Sequence, residues 1–262
     1  SVAMAGDMTV ETSSGFAYGA SAVNNSNISL SGVRSMDVSS EAGTAVGILS
    51  LMHSSVSADI ESMTVTAADG SAIGVDALAS TVSGEIGSIT ATATETAAGV
   101  RSTAGAVDLL MDGDIVVTST GGEAAGIGAN TSGDVTVTGL GSLSVTAADG
   151  DATGIKAYIG SLSNVSMTGT MDVYTANGEA SGIVAEDNSD TTVRMDADKS
   201  DNDIFVHSAS GGNAYGAVAS GDSDIVFENV RNLVVSADAG DAYGLFANDP
   251  STISGDVESI TV

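Results

Sequence analysis

Apolar and polar residues alternate along short segments of the chain, and these segments recur. Leu143 and Val145 alternate with Ser144 and Thr146, and the same order is repeated over residues 63–66. Alternation with a period of two is typical of a β-strand that buries one face. No segment of comparable length carries an apolar stripe with a period of 3.6 residues, so the pattern predicts strands and no helix.

A glycine-containing segment follows each alternating segment after a short turn. Its pattern is A-x-G-[I/V/A/L]-x-[A/S], as in residues 152–157. Turns such as AADG are rich in Asp, Asn and Gly, which tolerate positive φ. This pattern predicts a second strand in which Ile155 points inwards and Lys156 outwards. Other copies carry Asp76 and Arg101 at the position of Lys156, as expected for a solvated site.

The glycine of the second strand marks a repeat that covers the chain. Successive glycines are separated by 28, 27, 25, 27, 28, 28, 34 and 28 residues. Self-similarity at such a fixed period is typical of a solenoid. The repeat glycines are Gly19, Gly47, Gly74, Gly99, Gly126, Gly154, Gly182, Gly216 and Gly244.

A third and weaker strand completes each repeat. The segments VSGEIGSI at 82–89 and ISGDVESI at 253–260 are close variants, and each leads into the next alternating segment. Three short strands in about 27 residues predict an all-β fold, a right-handed parallel β-helix of about nine coils. At about 4.8 Å per coil, residues 1–262 are expected to form a single elongated solenoid of roughly 45 Å.

Two departures from the repeat carry further expectations. The spacing of 34 residues indicates an insertion in the seventh coil, and we expect residues 186–203 to project as an acidic loop. The last copy stops after Val262 in mid-strand, without a polar cap. The chain is therefore expected to be either a fragment of a longer solenoid or a subunit that stacks end to end.

Composition limits the classes of partner. The chain has 34 acidic and 6 basic residues, a formal charge of −28, which argues against nucleic acid as a partner because phosphate binding needs clustered Lys and Arg. The sequence contains no stretch of about 18 apolar residues, so it does not predict a segment that inserts in a membrane. Cysteine is absent, which excludes disulfides and thiolate metal sites.

The residues resemble a known family. Acidic, cysteine-free coils rich in Gly, Ala, Ser and Thr, with G-x-A-x-G-[I/V]-x-A steps, are similar to the β-helical passenger regions of bacterial autotransporters and related large surface adhesins. The resemblance covers the whole chain. It implies export through a Gram-negative envelope and an extracellular or cell-surface location.

Calcium is the one candidate cofactor. The segment DADKSDND supplies oxygen ligands on a loop, which suits Ca²⁺. An EF-hand loop would need glycine at the sixth position, where Asp201 stands, so a solvated acidic loop is the alternative. The predicted ligands are Asp196, Asp198, Ser200, Asp201 and Asp203.

Four residues form the candidate binding surface. Tyr215 and Tyr243 occupy the same site, before the repeat glycine, in consecutive coils, so their rings are expected to lie side by side. A sugar or a protein could stack there, and mutual packing at a corner is the alternative. Arg194 and Lys199 add positive charge within the inserted segment.

The pattern favours a structural and adhesive function. A stalk or display region of a surface protein would act by spacing and by side-on binding of a host or neighbouring-cell protein or glycan. A fibre that self-associates through its coil ends is the alternative. A carbohydrate-active enzyme is a third possibility, but the six basic residues are scattered and no catalytic motif is present, so we expect no enzyme.

Overall fold

A computed structural model describes residues 2–200 and 202–262. This part of the chain forms 23 β-strands, numbered β1 to β23 in chain order, and contains no helix. All of the strand pairs in the ladders are parallel, and successive coils pair in register. The prediction of an all-β parallel β-helix of about nine coils is confirmed.

The glycine-containing strands form one face of the solenoid, face 2. It is a nine-stranded sheet in which each strand pairs only with the equivalent strand of the neighbouring coils. Its strands are β2 (Ala17–Val23), β4 (Ala45–Leu51), β6 (Ala72–Leu78), β8 (Ala97–Thr103), β11 (Ala124–Asn130), β14 (Ala152–Tyr158), β17 (Ala180–Glu186), β20 (Ala214–Ser220) and β22 (Ala242–Ala247).

The alternating segments form face 1, and the third strands form face 3. In the middle coils the two faces have separate strands. Those of face 1 are β10 (Ile115–Ser119), β13 (Leu143–Ala147), β16 (Met171–Thr175) and β19 (Asp203–Ser208). Those of face 3 are β9 (Ala106–Leu110), β12 (Asp134–Leu140), β15 (Leu162–Met167) and β18 (Asp190–Met195).

In the outer coils one long strand turns from face 3 into face 1. Register shifts interrupt the ladders of several of these strands, so the chain bends there without a separate corner loop. The long strands are β1 (Val2–Thr12), β3 (Asn27–Ser40), β5 (Ser55–Ala67), β7 (Thr81–Ala93), β21 (Asp224–Ala237) and β23 (Thr252–Thr261).

The core consists of columns of equivalent residues that run along the solenoid axis. Leu143 pairs with Met171, and Met171 pairs with Ile204, and all three side chains are fully buried. Ile155, predicted to point inwards, is fully buried as well. Each column is apolar because every coil can bury its inner surface only against its own strands and the neighbouring coils.

A ladder of serines lies at the corner between face 2 and face 3. The Ser189 hydroxyl accepts a hydrogen bond from the Ser161 N–H at 3.1 Å, and the Ser223 hydroxyl accepts one from the Ser189 N–H at 3.0 Å. Asp187 and Asn188 immediately before Ser189 have positive φ, so the corner is tight. Each hydroxyl thereby satisfies a buried N–H that no strand partner reaches.

The inserted segment is shorter than expected. Residues 190–195 lie in β18, which pairs with β15 and β21 on face 3 like any other third strand. The irregular part is therefore confined to residues after Met195 and before β19, instead of the loop of 186–203 that the repeat spacing suggests. The strand pattern Thr191, Val193, Met195, all buried, is the sequence signal for this correction.

Candidate binding groove on face 2

The repeat glycine bends each strand of face 2 towards the core. The ladder between β14 and β17 pairs Thr153 with Ser181, omits Gly154, and resumes at Ile155. Gly154 and Ile155 are both buried, so the chain dips inwards at this point. A Cβ on Gly154 would lie 2.5 Å from the carbonyl oxygen of Gly182, which shows how closely adjacent coils approach. The dip repeats in every coil and leaves a groove along the outer surface of face 2.

Apolar side chains fill the first part of this groove. They point away from the core, yet only 3–7% of their surface is exposed, because they pack against one another across the dip. Leu51 packs against the same cluster. The cluster consists of Val46, Leu49, Ile73 and Ala98.

An ion pair closes the apolar part of the groove. Asp76 and Arg101 are ladder partners on β6 and β8, joined by two hydrogen bonds of 3.1 and 2.7 Å. The hydrogen bonds that Arg101 donates to the carboxylate of Asp76 raise the pKa of Arg101. Asp76 is only 8% exposed, so the expectation of a solvated site at this position is wrong, because the groove shields it.

We expect that Arg101→Ala lowers the free energy of unfolding by about 2 kcal/mol, because a shielded carboxylate loses its partner. The loss stays below that of a fully buried pair because the guanidinium is partly exposed. Urea unfolding followed by circular dichroism measures the change. The double variant D76A/R101A should be more stable than Arg101→Ala alone, and a double variant that loses the sum of both single losses would contradict a coupled pair.

A polar pocket of about 210 Å³ occupies the middle of the groove, on β11, β14 and β17 and the turns that precede them. The groove floor is open here because the residue before the repeat glycine is small in three successive coils: Ala125, Thr153 and Ser181. The pocket is lined by Glu123, Ala124, Ala125, Asp151, Thr153, Lys156, Glu179, Ser181, Val184, Glu186 and Val218.

Carboxylates repeat along one wall of the pocket. Glu123, Asp151 and Glu179 each precede the first residue of a face 2 strand, so they occupy one column. Asp151 also accepts a hydrogen bond of 2.8 Å from the N–H of Glu179. Burial raises the pKa of Glu179, and the carboxylates of Asp151 and Glu186 raise it further. The pocket therefore holds more negative charge than its own groups neutralise.

Lys156 is the cation of the pocket, and it has partners. Its Nζ lies 3.9 Å from Oε2 of Glu186 and 5.2 Å from the ring centroid of Tyr158. Tyr158 is the last residue of β14, the strand that carries Lys156, and Glu186 is the last residue of β17 in the next coil. The ammonium group is thus drawn towards the rim and leaves the carboxylate wall facing the open groove.

An aromatic cluster continues the groove beyond the pocket. Tyr215 and Tyr243 are ladder partners whose rings stack with centroids 5.0 Å apart and planes 6° apart. The ring of Phe246 lies edge-on to both, at 6.3 and 6.0 Å. The side-by-side rings match the arrangement expected for Tyr215 and Tyr243, and their mutual packing is the contact that the structure shows.

The structure separates the two tyrosines from the other predicted binding residues. Arg194 lies on face 3, where it forms a bidentate contact with Glu228 of the next coil. Lys199 lies in the inserted segment, beside a pocket of about 170 Å³ that Arg231 also lines. The predicted surface is therefore three separate sites, and only the tyrosines belong to the groove.

Two of the predicted calcium ligands, Asp196 and Asp203, accept hydrogen bonds from neighbouring groups of the protein. The carboxylate of Asp203 accepts hydrogen bonds from Arg231 and Asn232, and that of Asp196 accepts one from the Asp198 N–H. Ser200 belongs to the same turn, and Asp201 lies outside the described residues. Residues 2–200 and 202–262 contain no group of three or more His, Cys, Asp or Glu side chains that could hold a metal ion.

His207 makes specific contacts on face 1. Its ring stacks on Tyr174 with centroids 5.5 Å apart, and its Nδ1 lies 2.7 Å from the hydroxyl oxygen of Ser236. Its Nε2 lies 3.8 Å from a carboxylate oxygen of Asp238. Tyr174, His207 and Ser236 are successive ladder partners on adjacent strands, so these contacts link three coils across an exposed face.

Pattern reasoning did not identify the pocket. Its signal is present in the aligned repeats, because four small residues in successive coils, Ala98 to Ser181, precede the repeat glycine, and the last three of these coils carry an acid as the last residue of the preceding turn. The groove itself depends on the bend at glycine, which a strict period of two does not predict.

Comparisons with protein-family models, with curated proteins and with solved structures each find no significant match. Among the residues that the structure describes, no helix is long and apolar enough to cross a membrane. The groove on face 2, with its pocket and its aromatic cluster, is therefore the feature of the molecule that points to a function.

Proposed function

We propose that this chain is a structural and adhesive β-solenoid of an exported bacterial surface protein, and that the groove of face 2 is its side-on attachment site. One observation carries the proposal: the outward residues around the pocket change in size and polarity from coil to coil, above a core that stays apolar. Over the same four coils the outward column reads Ala125, Thr153, Ser181 and Tyr215, and the inward column reads Ile127, Ile155, Ile183 and Ala217.

Such variation suits recognition because the buried core does not require one particular residue in the outward column. A solenoid core holds these side chains at fixed spacing, so binding does not require ordering a loop first. The charge of −28 suits display at a surface, because a high net charge keeps an elongated chain soluble. The partner is then a protein or glycan on a host or neighbouring cell.

The test compares one substitution on two faces of the solenoid. Thr153→Tyr fills the pocket, whereas Thr136→Tyr places the same ring on the outer surface of face 3. Fluorescent beads coated with each variant are passed over epithelial and bacterial monolayers under flow. We expect Thr153→Tyr to reduce bead retention roughly tenfold, as loss of a binding hot spot does, and Thr136→Tyr to leave it unchanged.

Two results would contradict the proposed attachment site. Equal loss of retention in both variants would indicate that adhesion does not depend on face 2. Parent beads that are retained no better than beads coated with serum albumin would remove the adhesive role altogether. Circular dichroism of both variants, which should match the parent, shows that the solenoid is intact in each case.

A further inference from the structure

The aromatic cluster adjoins the pocket, because Tyr215 is the ladder partner of Ser181, which lines it. The rings of Tyr215 and Tyr243 are nearly parallel, with centroids 5.0 Å apart, close to the rise of about 4.8 Å between coils, so the stack runs along the solenoid axis. The face of Tyr215 remote from Tyr243 is therefore directed at the preceding coil. Its ladder partner there is Ser181, whose short side chain does not continue the stack.

Two carboxylates lie beside the space over Ser181, one in the same coil and one in the preceding coil. Glu179 precedes Ser181 by two residues and lines the pocket with it. Asp151 occupies the equivalent corner position one coil earlier. The Ser181 hydroxyl donates a long hydrogen bond of 3.5 Å to Oε1 of Glu179. Lys156 forms its ion pair with Glu186 and lies over the ring of Tyr158, so within the described part of the chain no cation is paired with Glu179.

A planar cation fits these two features together. A guanidinium group stacks on aromatic rings and donates two parallel hydrogen bonds to one carboxylate in the plane of its fork. If the guanidinium group lay parallel to the ring of Tyr215 and over Ser181, its two donors would be level with the coil that carries Glu179. The ammonium of lysine carries the same charge but has no planar face to stack.

We propose that this end of the groove binds the guanidinium group of an arginine side chain on a partner polypeptide, stacked on Tyr215 and hydrogen-bonded to Glu179. The proposal rests on the proposed function, since it names the chemistry that the attachment site recognises. Arginine is also the basic residue most enriched in protein interfaces, where it combines charge with a flat contact surface.

The first measurement is a titration of the intact chain with three blocked amino acids, followed by NMR. The probes are the N-acetyl amides of arginine, lysine and citrulline, the last being a neutral analogue of arginine. We expect arginine to shift the resonances of Thr153, Ser181 and Tyr215, and to bind at least about tenfold more tightly than citrulline. Lysine should bind more weakly than arginine, because it forms the ion pair without the stack.

Matched variants assign the contacts. Glu179→Gln should weaken arginine binding about tenfold, as expected when a charged hydrogen bond is lost, whereas Glu95→Gln at a corner outside the pocket should leave it unchanged. Tyr215→Leu should weaken binding of arginine more than that of lysine, because lysine loses only a cation–π contact whereas arginine also loses a planar stack. Tyr18→Leu is its control, since Tyr18 occupies the same column at the other end of face 2.

The pH dependence is a further readout for Glu179. Its raised pKa means that its carboxylate is protonated at a higher pH than an ordinary glutamate. The groups that face it are Asp151, Glu186 and Lys156, with Glu123 in the same pocket. A guanidinium binds the ionised form, so affinity should be full above this pKa and fall as the pH decreases through it. Glu179→Gln should remove that part of the profile.

The proposal is overturned if arginine, lysine and citrulline bind alike, or if Glu179→Gln binds arginine as the parent does. If lysine and arginine bind equally and salt weakens the binding of both, the interaction is a diffuse attraction to an acidic surface. The proposed function fails separately, since it requires only that Thr153→Tyr reduces bead retention. Retention that depends on the groove without arginine binding would keep the attachment site and change its ligand.

Discussion

Replacing Gly154 by alanine is expected to lower the free energy of unfolding by about 3 kcal/mol or more, because the added methyl group has no space. Its Cβ would lie 2.5 Å from the carbonyl oxygen of Gly182 and 2.9 Å from Sδ of Met171. The sulfur can move with its flexible side chain, but the carbonyl belongs to the backbone of the next coil. Relief therefore requires the two coils to separate, which lengthens the hydrogen bonds of the ladder between β14 and β17.

Gly128→Ala is the matched control, since Gly128 lies in the neighbouring strand of the same face but points outwards. A Cβ there would meet only the side chain of Asn130, at 3.6 Å. We expect this variant to gain about 0.4–1 kcal/mol, because alanine restricts the unfolded chain. Urea unfolding followed by circular dichroism at the β-sheet band measures both. If Gly154→Ala is as stable as Gly128→Ala, the close approach of the coils is not what selects glycine.

These two glycines show how far the sequence could predict the fold. The recurrence of Gly154 and its equivalents gave the coil period, and alternation gave the inward and outward sides of face 1, as Leu143 and Ser144 show. Both signals are local and strong, because every coil must solve the same packing problem. The bend at the glycine is different, since it depends on contact with the next coil, which one copy of the repeat does not contain.

The binding groove was less accessible to pattern reasoning for the same reason. The sequence pattern predicts that Asp76 is solvated. In the structure it is shielded, because the strand bends inwards beside it and Arg101 of the next coil lies against it. Likewise, the shared site of Tyr215 and Tyr243 was visible, but the position of the Tyr215 ring next to Ser181 depends on the column and not on the strand. A site on a solenoid is formed by equivalent residues of successive coils, whereas a sequence pattern relates neighbouring residues within one coil.

The inserted segment gives the opposite lesson. Its acidic residues suggested a loop that binds a metal ion. One residue that holds the segment in place is Asn202, an amide to which the sequence pattern assigned no role. Asn202 is 3% exposed, and its amide group donates to the carbonyl oxygens of Asp196 at 2.7 Å and Asn229 at 3.1 Å. Asp203, one of the predicted metal ligands, is paired with Arg231.

Phe227→Ala is expected to cost about 3–5 kcal/mol, the usual loss when a buried phenylalanine leaves a cavity. Phe227 is 1% exposed and is the sole aromatic residue among the buried core residues of the described chain. It stands in the column that continues from Val165 and Val193 on face 3. The next coil carries Gly255 at this position, so no side chain of that residue competes for the space of the ring.

The loss should also be local, because each coil contacts only its neighbours. Hydrogen exchange is expected to accelerate in β18, β21 and β23 and to stay at the parent rate in β6 and β8. Val193→Ala in the preceding coil is the control, and it should cost less because fewer carbon atoms leave the core. If Phe227→Ala instead accelerates exchange along the whole solenoid, the coils unfold as one unit. A loss below about 1 kcal/mol would mean that the neighbouring valines collapse into the space, and that the glycine beside the ring is not what accommodates it.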